Sequence, residues 1–309
     1  MLEHAVKFIK NGQLVIFPTE TVYGIGADAT NELACKKIFT AKGRPSHNPL
    51  IVHVANIDQA KTIAIFNDFA EKLSSLWPGP LTLVLPLSLN HKIAPSVTAS
   101  LSTVAVRIPS HDIALQLIKN AASPIAAPSA NLSGSLSSTA LEQVQESFGQ
   151  QENIYIIRNQ QECNIGLEST IIDLSSSIPI ILRQGYFTQE FLSDYLGINV
   201  KIADETSIIK APGMLLKHYA PKTKVRLNAE FLLDNELGLN FANSNLNAEF
   251  SLNLSPNGNL IEAAANLYYY LYQLDEYAQK NNYNQIAVAP VPKHDIGSAI
   301  NDRLLKASN

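Results

Sequence analysis

The sequence predicts an α/β protein whose main part is a twisted, mixed open sheet covered by helices. Helical and strand-like apolar patterns alternate through the first 200 residues, which is typical of helices packed on a sheet. Many strand patterns are too short and too closely spaced for a regular series of parallel β-α-β units, so we expect parallel and antiparallel pairs together. The residue composition and the apolar pattern change near Lys201, and the remainder of the chain predicts a small, Rossmann-like α/β domain.

The elements are marked by apolar spacing and by the residues that end them. An apolar face from Leu2 to Ile9 predicts the first helix, with Gly12 as its stop. Strands are predicted at 14–17, 50–54, 81–85, 104–108, 125–127, 154–157, 170–174 and 180–182. Helices are predicted from a cap at Thr30 or Asn31 to Gly43, and at 67–77, 111–119, 139–148 and 189–196.

The last third of the chain has a different composition. Residues 211–221 carry the turn residues of an irregular connection. Beyond them the chain is rich in Asn and predicts a long helix at 260–277, a strand at 286–289 and a last helix near 297–305. We therefore expect a main domain at 1–201, a linker at 202–224 that could act as a lid, and a small C-terminal domain at 225–309.

Composition limits the classes of function. Of 309 residues, 46% are apolar and 16% charged, which provides material for packed cores. The net charge of −4 disfavours long nucleic acid as the main ligand, although a local pocket of cations could still bind a small anion. Cys35 and Cys163 predict neither a disulfide framework nor a zinc site, and the seven histidines show no metal-binding spacing. Without a leader peptide or a membrane-length apolar run, we expect a cytoplasmic protein.

Basic residues stand where helices and strands end. Lys42 closes a helix and Arg44 follows Gly43, while Arg107 and Arg183 each end an apolar strand. Lys42 could simply offset the helix dipole, and either strand-end arginine alone could be a structural ion pair. No adjacent acid supplies a partner for Arg107, however, and guanidinium groups bind carboxylates and phosphates in a bidentate manner. Together these cations predict an anion site.

Two loops add hydroxyl groups to this prediction. Residues 18–26 follow the first strand and are expected to form a turn-rich connection with several hydroxyls and glycines. The glycines from Gly24 onward match the dinucleotide fingerprint only weakly, because they do not stand between a strand and a helix. Ser129 and Asn131 follow strand 125–127 and could bind phosphate oxygens or ribose hydroxyls, or form a local turn.

These segments resemble the YrdC-type domain of threonylcarbamoyl-AMP synthases. The resemblance is carried by PTETVYG at 18–24, the paired KGR at 42–44 and SAN at 129–131, AVRIP at 105–109 and EST at 168–170. Residues 212–214, 218–221 and 297–304 resemble the linker and the tail of the two-domain branch of that family. The resemblance implies a catalytic YrdC-like domain at 1–201 that makes threonylcarbamoyl-AMP from L-threonine, bicarbonate or CO2, and ATP, releasing pyrophosphate.

The resemblance also implies a set of contacts. L-threonine would be contacted by Thr21, His53, Arg107, Ala127 and Ser169. ATP would be contacted by Lys42, Arg44, Asn48, Thr103, Ser129, Asn131, Ser137, Arg183 and Tyr219, with Ser135 or Ser138 as alternatives to Ser137. Lys42, Arg44 and Arg107 would be catalytic, whereas Glu20 and Glu168 stay without an assigned role. The role of the C-terminal domain is not assigned either.

The implied cofactors and partners follow from the same reaction. Mg2+ would arrive with ATP rather than on protein side chains, and no organic cofactor is expected. Downstream threonylcarbamoyl-transferase proteins would use the product to modify tRNA, and a weak contact with tRNA is a further expectation. The alternatives are a double-stranded RNA or tRNA-binding module without synthase activity, whose binding should weaken steeply with salt, and a carbamoyl-transfer module.

Overall fold

A computed structural model describes residues 1–158, 163–204, 211–212 and 219–309. In the described part, a ten-stranded sheet comprises β1 (Leu14–Phe17), β2 (Gly24–Asp28), β3 (Ile51–His53), β4 (Leu81–Pro86), β5 (Thr103–Arg107), β6 (Ile125–Ala126), β7 (Ile154–Ile156), β8 (Thr170–Asp173), β9 (Ile180–Arg183) and β10 (Lys201–Ile202). Its helices are α1 (Leu2–Lys10), α2 (Glu32–Lys42), α3 (Ile57–Ile63), α4 (Asp68–Leu73), α5 (Pro95–Thr98), α6 (Asp112–Ala121), α7 (Leu141–Phe148) and α8 (Gln189–Leu196). A 3-10 turn, Ser74–Leu76, follows α4.

The sheet is mixed, as the short strand spacing predicts. Its order is β10-β9-β8-β4-β5-β3-β6-β2-β1-β7. Parallel pairs such as β3 with β5 and β4 with β8 alternate with antiparallel pairs such as β4 with β5 and β1 with β2. The α/β fold with a mixed open sheet is therefore confirmed.

The two faces of this sheet are covered unequally. The larger core lies on one face, where α2 to α5, α7 and α8 pack against the strands. On the other face, α1 and α6 cover only the half that contains Val15, Phe17 and Ile125. The remaining strands of that face contribute a small cluster around Ile51 and Ala105. That incompletely covered area offers room for a ligand.

A second, four-stranded sheet follows in the C-terminal unit, defined here as residues 224–309. Its elements are β11 (Lys224–Arg226), β12 (Glu236–Asn240), β13 (Ser251–Asn253), α9 (Leu260–Asn281), β14 (Gln285–Val288) and α10 (Gly297–Ala307). The strand order is β11-β14-β12-β13 and all pairs are parallel, which agrees with the predicted Rossmann-like tail. Its apolar core also includes Val22, Leu136 and Leu167 from the first 200 residues, so the two sheets share buried surface.

The structure corrects several elements of the prediction. Residues 24–28 form β2, antiparallel to β1, where we expected only a turn-rich connection. The predicted helix 67–77 ends as α4 at Leu73 and continues as the 3-10 turn. Strands β11 to β13 were not predicted because they are only three to five residues long, and β12 and β13 also include Gly or Asn, which have low strand propensity. Among the described residues, no helix is long and apolar enough to cross a membrane.

The missed strand β2 depends on a glycine at a crowded position. A Cβ at Gly26 would stand 2.6 Å from Ile125 Cγ2 and 2.8 Å from Phe17 Cε1, closer than carbon atoms pack. At Gly24, in the same strand, the nearest atom would be at an ordinary 3.4 Å. Glycine at 26 therefore lets β1, β2 and β6 approach each other.

We expect Gly26→Ala to lower the free energy of unfolding by about 1–3 kcal/mol, because the added methyl group overpacks the core. Gly24→Ala in the same strand is the matched control, and its cost should stay below about 0.5 kcal/mol. Urea unfolding of both variants measures the difference. Equal costs for the two substitutions would contradict this account of β2.

Candidate active site

A narrow cavity lies on the incompletely covered face of the ten-stranded sheet. Its wall comprises Thr19, Thr21, Val22, Tyr23, Gly24, Arg44, Ile51, His53, Arg107, Ala127, Pro128, Ser129, Glu168, Arg183, Pro212 and Tyr219. The enclosed space is about 40 Å³, whereas sites for small ligands measure about 300–1,000 Å³. In this conformation the cavity is therefore much smaller than a typical ligand site.

Arg107 ends β5 and pairs with a buried carboxylate. Its Nη2 donates to Glu20 Oε1 at 2.6 Å, its Nη1 to Thr21 Oγ1 at 3.1 Å and its Nε to the Gly79 carbonyl at 3.2 Å. Burial alone would raise the pKa of Glu20, but the Arg107 charge and its hydrogen bond outweigh burial and hold that pKa below its ordinary value. The acidic partner of Arg107, which its neighbours in sequence do not provide, is therefore Glu20 of the 18–24 segment.

His53 stands beside Arg107, because the parallel register of β3 and β5 pairs these two residues. Burial, followed by the Arg107 charge, lowers the pKa of His53 to about 3, so its imidazole is neutral at pH 7. Its Nδ1 is buried and makes no hydrogen bond with the residues that the structure describes. A neutral ring with an unused nitrogen is suited to a polar ligand group.

Arg44 and Arg183 add positive charge from two other elements. Arg44 donates to the carbonyls of Asn48 and Pro49, and burial lowers its pKa to about 10, so it stays charged at pH 7. Arg183 ends β9 and binds Ser169 twice, through the carbonyl at 3.0 Å and the hydroxyl at 3.0 Å. Most of these partners are neutral oxygens, so the positive charge of both arginines remains available to an anion.

Lys42 joins the two halves of the KGR and SAN pair. Its Nζ donates to the carbonyls of Ser129, at 2.6 Å, and Asn131, and lies 3.5 Å from Asn131 Oδ1. Ser129 Oγ donates to the same Asn131 oxygen at 2.5 Å. Gly43 ends α2 in the left-handed conformation and so directs Arg44 away from Lys42. Lys42 therefore holds the loop, while Arg44 and Ser129 face the cavity.

The last part of the wall is held from the C-terminal unit. Glu168 accepts hydrogen bonds from Ser137 Oγ at 2.5 Å, from Tyr268 of α9 and from Arg303 of α10. Burial would raise the pKa of Glu168, but Arg303 and Arg183 lower it to about 2. Tyr219 is buried against the same group, with the Arg303 guanidinium 5.2 Å from its ring centre.

Comparison with known proteins assigns the chain to a family. A protein-family model for the Sua5/YciO/YrdC group, described as telomere recombination, matches residues 7–185. A second family model, described as the threonylcarbamoyl-AMP synthase C-terminal domain, matches residues 187–309. The threonylcarbamoyl-AMP synthase of Bacillus subtilis is 36% identical over 99% of this chain and 92% of its own length. The chain belongs to the two-domain threonylcarbamoyl-AMP synthase family.

An archaeal member of this family is similar in both sequence and structure. The threonylcarbamoyl-AMP synthase of Pyrococcus abyssi is 48% identical over 228 residues, which span 72% of this chain and 66% of that protein. The crystal structure of P. abyssi Sua5 complexed with L-threonine superposes with a TM-score of 0.89 at 38% identity, covering 99% of this chain and 94% of that one. The fold is therefore that of the family over essentially the whole chain.

The structure brings many of the expected synthase contacts to one cavity. Thr21, Arg44, His53, Arg107, Ala127, Ser129, Arg183 and Tyr219 all line it. Lys42, Asn48, Asn131, Ser137 and Ser169 lie behind the wall, and the buried Asn48 Oδ1 has no partner among the described residues. Thr103 begins β5 four residues before Arg107, about 13 Å away along the same face of the strand. His218, named in the predicted linker, lies outside the described residues.

Sequence reasoning missed three features of this synthase site. Tyr23 and Glu168 line the cavity without having been assigned a role, and Glu20 neutralises Arg107 from 87 residues away. A strand-end arginine does signal that an acid is needed, but sequence alone does not show which acid the fold will supply. Arg303 gave no signal beyond its place in the family-like tail. The described residues contain no cluster of three or more His, Cys, Asp or Glu side chains that could hold a metal ion.

We expect Glu20→Gln to lower the free energy of unfolding by about 3 kcal/mol at pH 7, because Arg107 would stay buried without its counter-charge. The depressed pKa means that the ion pair stabilises the fold above the unfolded pKa of about 4.3 and ceases to do so as pH falls through the lower folded pKa. The difference between the native chain and the variant should therefore narrow below pH ~4.3.

The control is Glu71→Gln, which breaks an exposed pair with Lys61 and should cost about 0–1 kcal/mol. Denaturant unfolding at pH 7 and at lower pH values measures both variants. A cost for Glu20→Gln as small as that of Glu71→Gln would show that the buried pair does not stabilise the site.

Proposed function

We propose that this chain is an L-threonylcarbamoyladenylate synthase, which converts L-threonine, bicarbonate or CO2, and ATP to threonylcarbamoyl-AMP and pyrophosphate. This reaction would be the first step of threonylcarbamoyl-adenosine formation in tRNA. The observation that carries the proposal is the convergence of Arg44, Arg107 and Arg183 on one cavity with His53 and a hydroxyl-rich wall. Family membership and the relatives named as this synthase support it.

The chemistry needs positioning and positive charge more than it needs a strong base. The threonine amine adds to CO2 and loses a proton, which gives a carbamate. A carbamate oxygen then bonds to the α-phosphorus of ATP, and the bond from that phosphorus to the pyrophosphate oxygen breaks. Two anionic reactants must therefore be held together, and buried guanidinium groups such as Arg44 and Arg183 offset their repulsion.

We assign the two ends of the cavity to the two substrates. Thr21, His53, Arg107, Ala127 and Ser169 would contact L-threonine, and the neutral His53 with its unused Nδ1 is suited to a polar group of the amino acid. Arg44, Asn48, Thr103, Ser129, Ser137, Arg183 and Tyr219 would serve ATP. Lys42, which the resemblance places with Arg44 and Arg107 among the catalytic residues, would act together with Asn131 by holding the Ser129 loop; their hydrogen bonds support this role.

Several further expectations belong to the same proposal. Mg2+ would arrive with the triphosphate and neutralise part of its charge. Residues 1–201 would be the catalytic domain, 202–224 the linker and 225–309 the C-terminal domain, a division supported by the two separate sheets. Transfer to tRNA would be performed by other proteins in the cytoplasm, and direct contact with tRNA stays a prediction.

Release of pyrophosphate tests the function directly. We expect it with ATP, Mg2+, bicarbonate and L-threonine, and not when another amino acid replaces threonine. Arg44→Ala should reduce the rate by about 10²–10³-fold, because a positive group facing the transferring phosphate is lost. Arg158→Ala, at an exposed position, is the control and should leave the rate unchanged.

Failure to release pyrophosphate specifically with threonine would refute the synthase proposal. If instead the chain bound double-stranded RNA with a steep salt dependence and turned over no ATP, the RNA-binding alternative would be favoured. The measurement therefore separates the two functions.

Tyr219 generates a separate prediction about product retention. Its side chain lines the cavity and is buried, and we propose that it shields the site from water. We expect Tyr219→Ala to release more free threonine and AMP per ATP consumed, because water would reach the labile product. Tyr186→Ala, at an exposed tyrosine, is the control. Unchanged synthesis and retention in Tyr219→Ala would refute a covering role.

A further inference from the structure

Two side chains of the C-terminal unit contact the cavity wall from behind. Arg303 and Tyr268 are fully buried, although neither lines the cavity itself. Arg303 Nε donates to Glu168 Oε2 at 3.0 Å, and the Tyr268 hydroxyl lies 3.2 and 3.0 Å from the two Glu168 oxygens. A carboxylate of the wall is thus held by a cation and a hydroxyl from the other sheet.

Glu168 connects these two side chains to the residues assigned to ATP. It accepts a hydrogen bond from Ser137, and the next residue, Ser169, binds Arg183 through both its carbonyl and its hydroxyl. Arg303 Nη2 also donates at 2.8 Å to the carbonyl of Gln184, directly after Arg183. The position of the Arg183 guanidinium therefore depends on contacts that originate in α9 and α10.

Tyr219 is the third residue of the nucleotide side that this group touches. The Arg303 guanidinium lies 5.2 Å from the Tyr219 ring centre, within the range of a cation–π contact, and the Tyr268 ring lies 5.6 Å away. By contrast, within the described part of the chain no hydrogen bond or ring contact joins Arg303 or Tyr268 to Thr21, His53 or Arg107. Among the residues assigned to L-threonine, only Ser169, which directly follows Glu168, adjoins these contacts in the described part of the chain.

The charge of Glu168 shows why its position matters. A carboxylate in the wall of a triphosphate site would repel the nucleotide if it turned into the cavity. Arg303 pairs with it and also with Asp302 of α10, and Tyr268 and Ser137 fix its direction. We propose that Arg303 and Tyr268 are positioning residues for the nucleotide side of the site, acting through Glu168 and Tyr219. The inference rests on the proposed synthase function and assigns the C-terminal unit a part in it.

The chain offers a matched pair of variants for the test. Tyr268 and Tyr272 both stand on α9, and each donates its hydroxyl to a glutamate of the first sheet region, Glu168 and Glu146 respectively. Tyr268→Phe and Tyr272→Phe thus remove the same group from the same helix and from the same junction between the sheets. Of the two glutamates only Glu168 lines the cavity, so only Tyr268→Phe removes a hydrogen bond from the cavity wall.

We expect Tyr268→Phe to weaken ATP binding about tenfold in calorimetric titration without threonine, and to raise the KM for ATP in pyrophosphate release by a similar factor. The KM for L-threonine should change less than the KM for ATP, since Ser169 is the one threonine contact that adjoins Glu168 in the described part of the chain. Tyr272→Phe should leave both KM values unchanged. A purely structural role would lower the melting temperature of both variants without this difference between the two substrates.

A double substitution tests the route through Glu168. If Tyr268 acts by holding this carboxylate, Tyr268→Phe should have little further effect on ATP binding in a Glu168→Gln background. Arg303→Lys keeps the charge but loses the fork and the stacking on Tyr219, and it should also weaken ATP binding more than threonine binding.

The outcomes separate this inference from the proposed function. If the native chain neither binds ATP nor releases pyrophosphate with threonine, the proposed function fails and the inference fails with it. If the native chain is active and Tyr268→Phe matches Tyr272→Phe, or affects both substrates equally, the function stands and the inference alone is overturned.

Discussion

Buried positive charge is the constraint on which this site depends. Lys42, Arg44, Arg107 and Arg183 are all withdrawn from water, and a buried cation is costly unless oxygens surround it. Among the residues that the structure describes, the fold meets this need mainly with neutral oxygens, namely backbone carbonyls and serine hydroxyls, and pairs a carboxylate with Arg107. Because neutral partners do not cancel the charge, the cavity keeps a surplus of positive charge, as the union of two anionic reactants requires.

The sheet determines where these charges meet. The parallel register of β3 and β5 places His53 beside Arg107, and the antiparallel register of β8 and β9 places Arg183 next to Ile171 on the neighbouring strand. Because α1 and α6 cover only part of this face, the ends of these strands border the cavity. Chain segments that are distant in sequence, such as 20 and 107, are thereby brought into hydrogen-bond contact.

Much of this arrangement could be predicted from the sequence. The features that were not predicted leave no local sequence pattern, for physical reasons. Apolar alternation located most strands of the first sheet, and strand-end arginines indicated an anion site. Strand β2 was missed because glycines at 24 and 26 weaken the strand pattern, although Gly26 is there to permit close packing. The partner of Arg107 was missed because a pairing over 87 residues leaves no local signal.

At the junction between the two sheets, one set of contacts holds the sheets together and another set orients the side chains of the cavity wall. Adhesion comes from the apolar cluster in which Val22, Leu136 and Leu167 join the core of the C-terminal unit. A buried ion pair such as Arg303 with Glu168 adds little stability beyond this, since the cost of removing both charges from water offsets their attraction. What such a pair does impose is geometry, because Arg303 must satisfy Glu168, the Gln184 carbonyl and the Tyr219 ring at once. An apolar contact of equal size would hold the sheets together but would leave the Glu168 carboxylate free to turn toward the triphosphate. On the proposed assignment of the site, the charged residues at this point serve the orientation of Glu168 in the cavity wall rather than the stability of the fold.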